Sequence, residues 1–420
     1  MKITYIHQYF TTPGMTGGTR SYEMARRMVD AGHQVQMITS RSETHSSGAG
    51  WVREKIDGID VHWLPVRYEN TMGYVRRLFA FGSFAAKAGR YAARFDTDVV
   101  FATSTPLTVA VPGIQVSRSR KVPMVFEVRD LWPELPIAVG ALNFPFAKPL
   151  ARELERRAYA NSTRVVALSP GMCEGVARTG YPANRISCIP NSSDTAEFDV
   201  SAELGERFRQ QRDWLADRPL VIYAGTFGKI NGVSYLADLA ASMRPLNPEV
   251  RFLAVGRGAE AGVVADHASR IGVLGENFFI EDALPKREMP ALFSASTVST
   301  SLVIPLEALW NNSANKFFDS LAAGRPIVIN YGGWQADLIE QQGIGLVLDP
   351  EDPQKSAQAL NEFLKNDEAI RSARSASRHL AESRFSRDKL AGELIQVLDD
   401  ARREGRTFTK LSSGAASQRT

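Results

Sequence analysis

Short apolar runs alternate with amphipathic segments along most of this chain. Met1 to Ile6 is an apolar run of strand length, followed by a loop holding Gly14, Gly17 and Gly18. A helical pattern from about Arg20 to Asp30 then stops at Ala31-Gly32. Val35 to Ile38, Asp98 to Ala102, Val122 to Phe126 and Arg164 to Leu168 read as further short strands. The second half repeats the habit with Leu220 to Tyr223, Val250 to Val255, Phe278 to Ile280, Thr297 to Val303 and Ile327 to Ile329. Strands alternating with helical segments predict an α/β chain with a doubly wound parallel sheet in each half. Ligands of such sheets sit beyond the carboxyl ends of the strands, so the loops that follow strands are where chemistry is sought.

The segment Asn315-Lys316-Phe317-Phe318-Asp319, running into Gly324-Arg325-Pro326, is the richest of these. It reads as a helix start with an amide, a cation and a carboxylate three or four residues apart, hence on one helix face. Gly324 supplies the stop, and Ile327 to Ile329 the next strand. Free amides at a helix N-terminus beside a lysine suit a diphosphate, and a carboxylate one turn on can accept hydrogen bonds from a ribose diol. An ordinary surface ion pair of Lys316 with Asp319 is the plain alternative.

Each half also carries a glycine turn after a strand. Gly17-Gly18 precedes a helix, and Ala224 to Gly232 contains Thr226, Lys229 and Asn231. Adjacent glycines let backbone approach a ligand closely, and Lys229 is placed to neutralise a diphosphate. Gly256-Arg257-Gly258 imitates a dinucleotide fingerprint, but its third glycine falls one residue late, at Gly262. Asp96-Thr97-Asp98 stands before its strand and reads as a solvated lead-in. Glu127-Val128-Arg129-Asp130-Leu131-Trp132-Pro133-Glu134 puts three carboxylates, an arginine and a tryptophan after a predicted strand, a set suited to polar substrate recognition or proton handling.

At 420 residues, with 44% hydrophobic and 23% charged, the chain has room for two ordinary domains. Cys173 and Cys188 fit no metal or redox pattern, and the six histidines show no paired spacing for zinc. No apolar run approaches the roughly 20 residues that span a bilayer. The net charge of +4 does not by itself indicate nucleic acid. From Tyr74 to Phe95 an apolar stripe (Leu78, Phe81, Phe84, Ala85, Ala88, Tyr91) carries Arg76, Arg77, Lys87, Arg90 and Arg94 largely off it. That combination suits an anionic membrane face, and equally a core helix with a wet basic side.

Taken together, Gly17-Gly18, Ala31-Gly32-His33, Glu127 to Glu134, Ala167-Leu168-Ser169-Pro170, Ile189-Pro190-Asn191, Tyr223-Ala224-Gly225-Thr226 and Asn315 to Pro326 resemble the GT-B-fold glycosyltransferases of family 4. Within them the chain is most similar to bacterial enzymes of O-antigen or capsule assembly, particularly N-acetyl-L-fucosamine transferases. The resemblance implies two Rossmann-like doubly wound domains facing across a cleft. It gives an acceptor domain at 1–195, a nucleotide-sugar domain at 196–385 and a helix at 386–403 returning to the first domain; the remainder at 404–420, rich in Ser, Gly, Ala and Thr, reads by composition as a disordered tail. It implies retaining transfer from a nucleoside-diphosphate sugar, UDP-linked, with no metal or other cofactor required. The acceptor would be a polyprenyl-diphosphate-linked saccharide, the enzyme cytoplasmic and peripheral to the membrane through Tyr74–Phe95, and nucleic acid no partner.

By motif match the donor would meet Gly17, Gly18, Thr226, Lys229, Asn231, Asn311, Asn315, Lys316 and Asp319. Asp130 and Arg129 would stand at the reaction centre, and Glu127, Trp132 and Glu134 at the acceptor. The pattern departs from many relatives in placing Asn311 and Asp319 where they have two glutamates, and Thr226 and Asn231 where they have arginine and lysine. A non-hydrolysing nucleotide-sugar 2-epimerase, or a two-lobed binding protein, would share much of this architecture.

Overall fold

The computed structural model describes residues 1–15, 17–40, 50–66, 74–142 and 146–417, with 74–78 and 406–417 described as backbone only. The chain divides into two compact units, one of Met1–Pro190 with Asp388–Thr420, the other of Asn191–Arg387. In the first unit, strands β1 (Lys2–Ile6), β2 (Gln34–Ser40), β3 (Val52–Ile56), β4 (Ile59–Leu64), β5 (Val99–Thr103), β6 (Met124–Val128), β7 (Arg164–Ala167) and β8 (Ile186–Cys188) form one sheet. Its order is β3-β4-β2-β1-β5-β6-β7-β8, with every pair parallel except β3 on β4. In the second unit β9 (Leu220–Ala224), β10 (Arg251–Val255), β11 (Phe278–Glu281), β12 (Val298–Ser301), β13 (Ile327–Ile329) and β14 (Gly345–Val347) lie in the order β11-β10-β9-β12-β13-β14, all parallel.

The central strands are apolar throughout because helices cover both faces of a doubly wound sheet. Val99–Thr103 and Leu220–Ala224 are buried at every residue. Strand order reverses on either side of β1, which lies between β2 and β5, and of β9, which lies between β10 and β12. Each reversal opens a crevice at the carboxyl ends of the strands, the usual place for a ligand in this class of sheet.

Several sequence expectations change. The hairpin β3–β4 turns on Asp57-Gly58, both with positive φ (46° and 81°), the backbone of a two-residue hairpin loop. β3 alternates weakly and lies at the edge, so its polar residues hid it as a strand. β6 extends to Val128, which places Glu127 inside a strand and not after it. The last helix runs Arg387–Ser417, so the tail expected to be disordered from 404 is helical to Ser417. No proline interrupts it, and extending an existing helix needs no new nucleus.

The helix Tyr74–Ala92 buries Phe84, Ala85, Ala88, Tyr91 and Ala92 in the first unit's core and leaves Lys87 and Arg90 exposed. Arg76, Arg77 and Leu78 lie outside the described side chains. Among the described residues no helix is long and apolar enough to cross a membrane.

Candidate functional site

In the second unit the crevice at β9 and β12 is built around Lys316. The helix Asn315–Ala322 begins beyond β12, and its second residue turns back toward the end of β9. Lys316 Nζ lies 3.1 Å from the Tyr223 hydroxyl and 4.3 Å from the centroid of its ring, a cation–π arrangement. A Cβ on Gly225 would stand 3.1 Å from Nζ, so glycine leaves the room the lysine occupies. Among the described residues no carboxylate pairs with Lys316, and desolvation pushes its pKa down to about 8. A half-buried cation without a counter-ion, beside a glycine turn, is a ready anion site.

The turn itself is well ordered by its own bonds. Tyr223 Oη and Asn231 Nδ2 both donate to the Thr226 carbonyl, at 2.8 and 2.9 Å. Phe227 N donates to Arg257 O at 2.8 Å, and Gly225 N to Val255 O at 2.9 Å. A Cβ on Gly256 would fall 1.8 Å from Gly225 O. The Gly256-Arg257-Gly258 turn is therefore a backing for the β9 loop, which is why it mimics a nucleotide fingerprint. Thr226 and Lys229 are exposed on the turn, Lys229 within the 3-10 segment Lys229–Asn231.

Asp319 sits one turn along the same helix but does not pair with Lys316, so the plain alternative of an ion pair between them is absent from the structure. Burial raises its pKa, opposed by the charges of Arg387 and Lys286. Arg387 is itself anchored, donating to Asp194 at 2.6 Å and to the Ser192 carbonyl at 2.8 Å. Lys316 Nζ is turned to the Tyr223 hydroxyl, and no ion pair joins it to Asp319 one turn along the helix. Asn315 opens the helix without capping it, and Asn311 lies just upstream, half-buried.

In the first unit the crevice at β1 and β5 gathers His7, Ser104, Thr105, Arg129 and Asp130 from loops after β1, β5 and β6. His7 is buried, with Nδ1 2.8 Å from Ser21 Oγ and Nε2 3.2 Å from Arg129 Nη1. Since the guanidinium only donates, Nε2 is the acceptor and Nδ1 carries the hydrogen. Burial and the Arg129 charge hold His7 well below its usual pKa, so it is neutral. Arg129 N donates to Ser104 Oγ at 3.0 Å, and Thr105 Oγ1 donates to Asp130 Oδ2 at 3.1 Å. Burial raises the Asp130 pKa, with Arg129 and Thr105 opposing.

Glu127 is elsewhere. Its side chain is 0% exposed, and Arg20, 2% exposed, donates to Oε1 from Nε at 3.1 Å and from Nη2 at 2.9 Å. Thr103 Oγ1 donates to Oε2, and Arg20 also holds the carbonyls of Ile189 and Pro190. Glu127 therefore meets no acceptor: both oxygens are committed inside the unit, because the strand continues past it. Trp132 is half-buried against the core, and Glu134 is exposed, 3.4 Å from Arg178. Gly17 has φ 136°, and Thr11 Oγ1 donates to the Gly18 carbonyl at 2.9 Å, which shapes that loop.

His7 and Arg20 were missed at the sequence level. An arginine as the first residue of helix Arg20–Asp30 opposes the helix dipole, and that misfit was the available signal. Among the described residues no three of His, Cys, Asp and Glu gather to hold a metal.

Comparison with known proteins assigns the two halves. Residues 16–192 match the family described as Glycosyl transferase 4-like domain, and residues 205–380 match Glycosyl transferases group 1. WcaI of Escherichia coli (strain K12), named for colanic acid biosynthesis glycosyl transfer, is 23% identical over 292 residues, 65% of this chain and 71% of that protein. Anabaena Alr3699/HepE in complex with UDP superposes with a TM-score of 0.71 at 18% identity, over 95% of this chain and all (100%) of the other. WaaG, a glycosyltransferase involved in lipopolysaccharide biosynthesis, gives 0.70 at 14% identity, covering 94% and 99%. The two Rossmann-like units are those of the GT-B fold.

Proposed function

We propose that this chain, which carries a glycosyl transferase 4-like domain at 16–192 and a glycosyl transferases group 1 domain at 205–380, moves a sugar from a nucleoside-diphosphate donor to a saccharide acceptor. The observation that carries the reading is Lys316, a half-buried cation with no carboxylate partner among the described residues, against Gly225 and Tyr223 in the crevice of the second unit. A diphosphate supplies the counter-charge that site lacks. Asp319 takes the ribose hydroxyls, Asn311 and Asn315 meet the donor near the helix start, and Lys229 with the 226–231 turn flanks the phosphates. UDP is the donor nucleotide we favour, since a structural neighbour was solved with it.

Chemistry of this type needs stabilisation of a departing diphosphate more than an acid, and a preorganised cation with backbone amides provides it. Arg129 and Asp130 line the first unit's crevice beside neutral His7, so they are assigned to the reaction centre and the acceptor hydroxyl. No metal is routed through either crevice. We assign retention of anomeric configuration and, as donor sugar, N-acetyl-L-fucosamine or a related amino sugar, since Asn311 presents an amide where a carboxylate would select differently. The acceptor is assigned to lipid-linked glycans of surface polysaccharide, in keeping with the printed roles of WcaI and WaaG. Contact with an anionic membrane would use the basic side of helix Tyr74–Ala92 together with Phe79, which is 76% exposed.

Neither matched family is an epimerase, and no observation favours that reading. The test is a product assay with a panel of UDP-sugars and lipid-extracted acceptors, with anomeric configuration read by NMR. Transfer dependent on both substrates supports the proposal. Sugar inversion without acceptor, or no turnover with any nucleotide sugar, overturns it.

A further inference from the structure

In the first unit, the hairpin β3–β4 borders a cavity of about 420 Å³ that the transfer reaction does not use. Gln36, Arg53, Lys55, Asp60, His62 and Phe95 are among the residues that line it. Lys55 stands opposite Asp60 across β3 and β4, and Asp60 beside Gln36 across β4 and β2. Arg53 stands opposite His62 in the next row. Residues in register share one face of a sheet, so all five side chains gather on the same face, three strands wide. Phe95, just past helix Tyr74–Ala92, brings its ring centroid to 4.6 Å from that of His62. Gln36 and Asp60 lie near the amino ends of their strands, and Ser40 at the carboxyl end of β2 is about 13 Å further on at roughly 3.3 Å per residue. The cavity is therefore at the far end of the sheet from His7, Arg129 and Asp130.

A chain of hydrogen bonds fixes its walls. Arg53 Nε donates to the Tyr91 hydroxyl at 2.9 Å, and that hydroxyl lies 3.1 Å from His62 Nδ1. His62 Nε2 is 2.6 Å from Gln36 Oε1, and Gln36 Nε2 donates to Asp60 Oδ2 at 2.9 Å. An amide oxygen only accepts, so His62 Nε2 carries the hydrogen and Nδ1 accepts from Tyr91. His62 is 4% exposed and neutral, since burial and then the Arg53 charge push it down to about 4. The chain thus runs one way, from a guanidinium at one end to a carboxylate at the other. Both ends keep capacity: among the described residues no carboxylate pairs with Arg53 or Lys55, and no cation pairs with Asp60. Glu54 also reaches the cavity, and its carboxylate accepts from the Trp63 indole at 3.1 Å.

Those groups define the ligand. The volume falls in the range of small-molecule sites, about 300–1,000 Å³. An apolar molecule would strand the charges without partners. A simple anion would meet two carboxylates along with the two cations. A saccharide meets every group: its hydroxyls both donate and accept, and the C–H face of its ring can lie on Phe95.

We propose that this cavity binds a saccharide unit, whose hydroxyls donate to Asp60 and accept from Arg53 and Lys55. The site is separate from the crevice of the first unit and stands whether or not that crevice carries transfer. Asp60→Ala removes the acceptor. Lys55→Ala is the safer variant for folding, because the lysine side chain holds no other group among the described residues. The full chain is titrated with the methyl glycosides of glucose, galactose, mannose, fucose and N-acetylglucosamine, and separately with inorganic phosphate. Binding is read by ligand-observed NMR, and thermal unfolding of each variant checks folding independently of any donor. Saturable binding of at least one glycoside, weakened about tenfold in both variants, the range of a hydrogen bond to a charged group, supports the site. Binding of phosphate in place of the glycosides, no saturable glycoside binding, or unchanged affinity in either folded variant overturns it.

Discussion

The two crevices handle charge in opposite ways. In the first unit Arg20 and Glu127 neutralise each other, and Arg129 leans on a neutral His7. In the second, Lys316 is held against an aromatic ring and a glycine, with no carboxylate among the described residues paired to it. A buried charge with a charged partner in the same unit is architecture, since removing one member strands the other. A half-buried charge held without one is a binding element, and its cost is recovered only when ligand arrives.

The largest expected effect breaks the architectural side. Arg20→Ala should leave Glu127 buried and uncompensated, costing about 3–5 kcal/mol, and should release the Ile189 and Pro190 carbonyls as well. Urea denaturation reads this directly, and a loss under about 1 kcal/mol would mean that the pair contributes little. On the binding side the pattern should invert. Lys316→Ala should weaken UDP binding roughly 10- to 100-fold, the range of a hydrogen bond to a charged group, while stability stays level or rises.

Asp319→Ala should weaken UDP about tenfold, an effect absent for uridine analogues that lack the ribose diol. That contrast separates ribose contact from a general electrostatic change. Titration sharpens the comparison further. With the Lys316 pKa at about 8 in the free protein, the lysine is charged below that pH and increasingly neutral above it. An anion binds the charged form, so UDP affinity should fall as pH rises through about 8, and Lys316→Ala should flatten the profile. The smallest effect is expected of Lys229→Ala, within about fivefold, because an exposed cation is screened by water and salt.

The comparison also explains what could be read from the sequence. Central strands such as Val99–Thr103 and Leu220–Ala224 announce themselves because burial on both faces demands continuous apolar runs. The helix start at Asn315 and the glycine of the β9 loop were legible for a local reason: their geometry is set within a few residues. The hairpin β3–β4 was missed because its edge strand β3 is exposed at its three central residues, although Asp57-Gly58 marked its turn. The site's charge partners were hidden by distance along the chain. Arg20 and Glu127 are 107 residues apart, and Asp194 and Arg387, beside Asp319, are 193 apart. Spacing reveals neighbours on one helix, and Lys316 and Asp319 show its limit, since residues three apart can still serve different surroundings.

The most direct test is calorimetric titration of the full chain with UDP, GDP, ADP and NAD, repeated with Lys316→Ala. A preference for one nucleoside diphosphate, weakened at least tenfold by the substitution with stability unchanged, is the expected result. Absence of diphosphate binding, preference for NAD, or equal affinity in the variant would contradict a donor site built on Lys316.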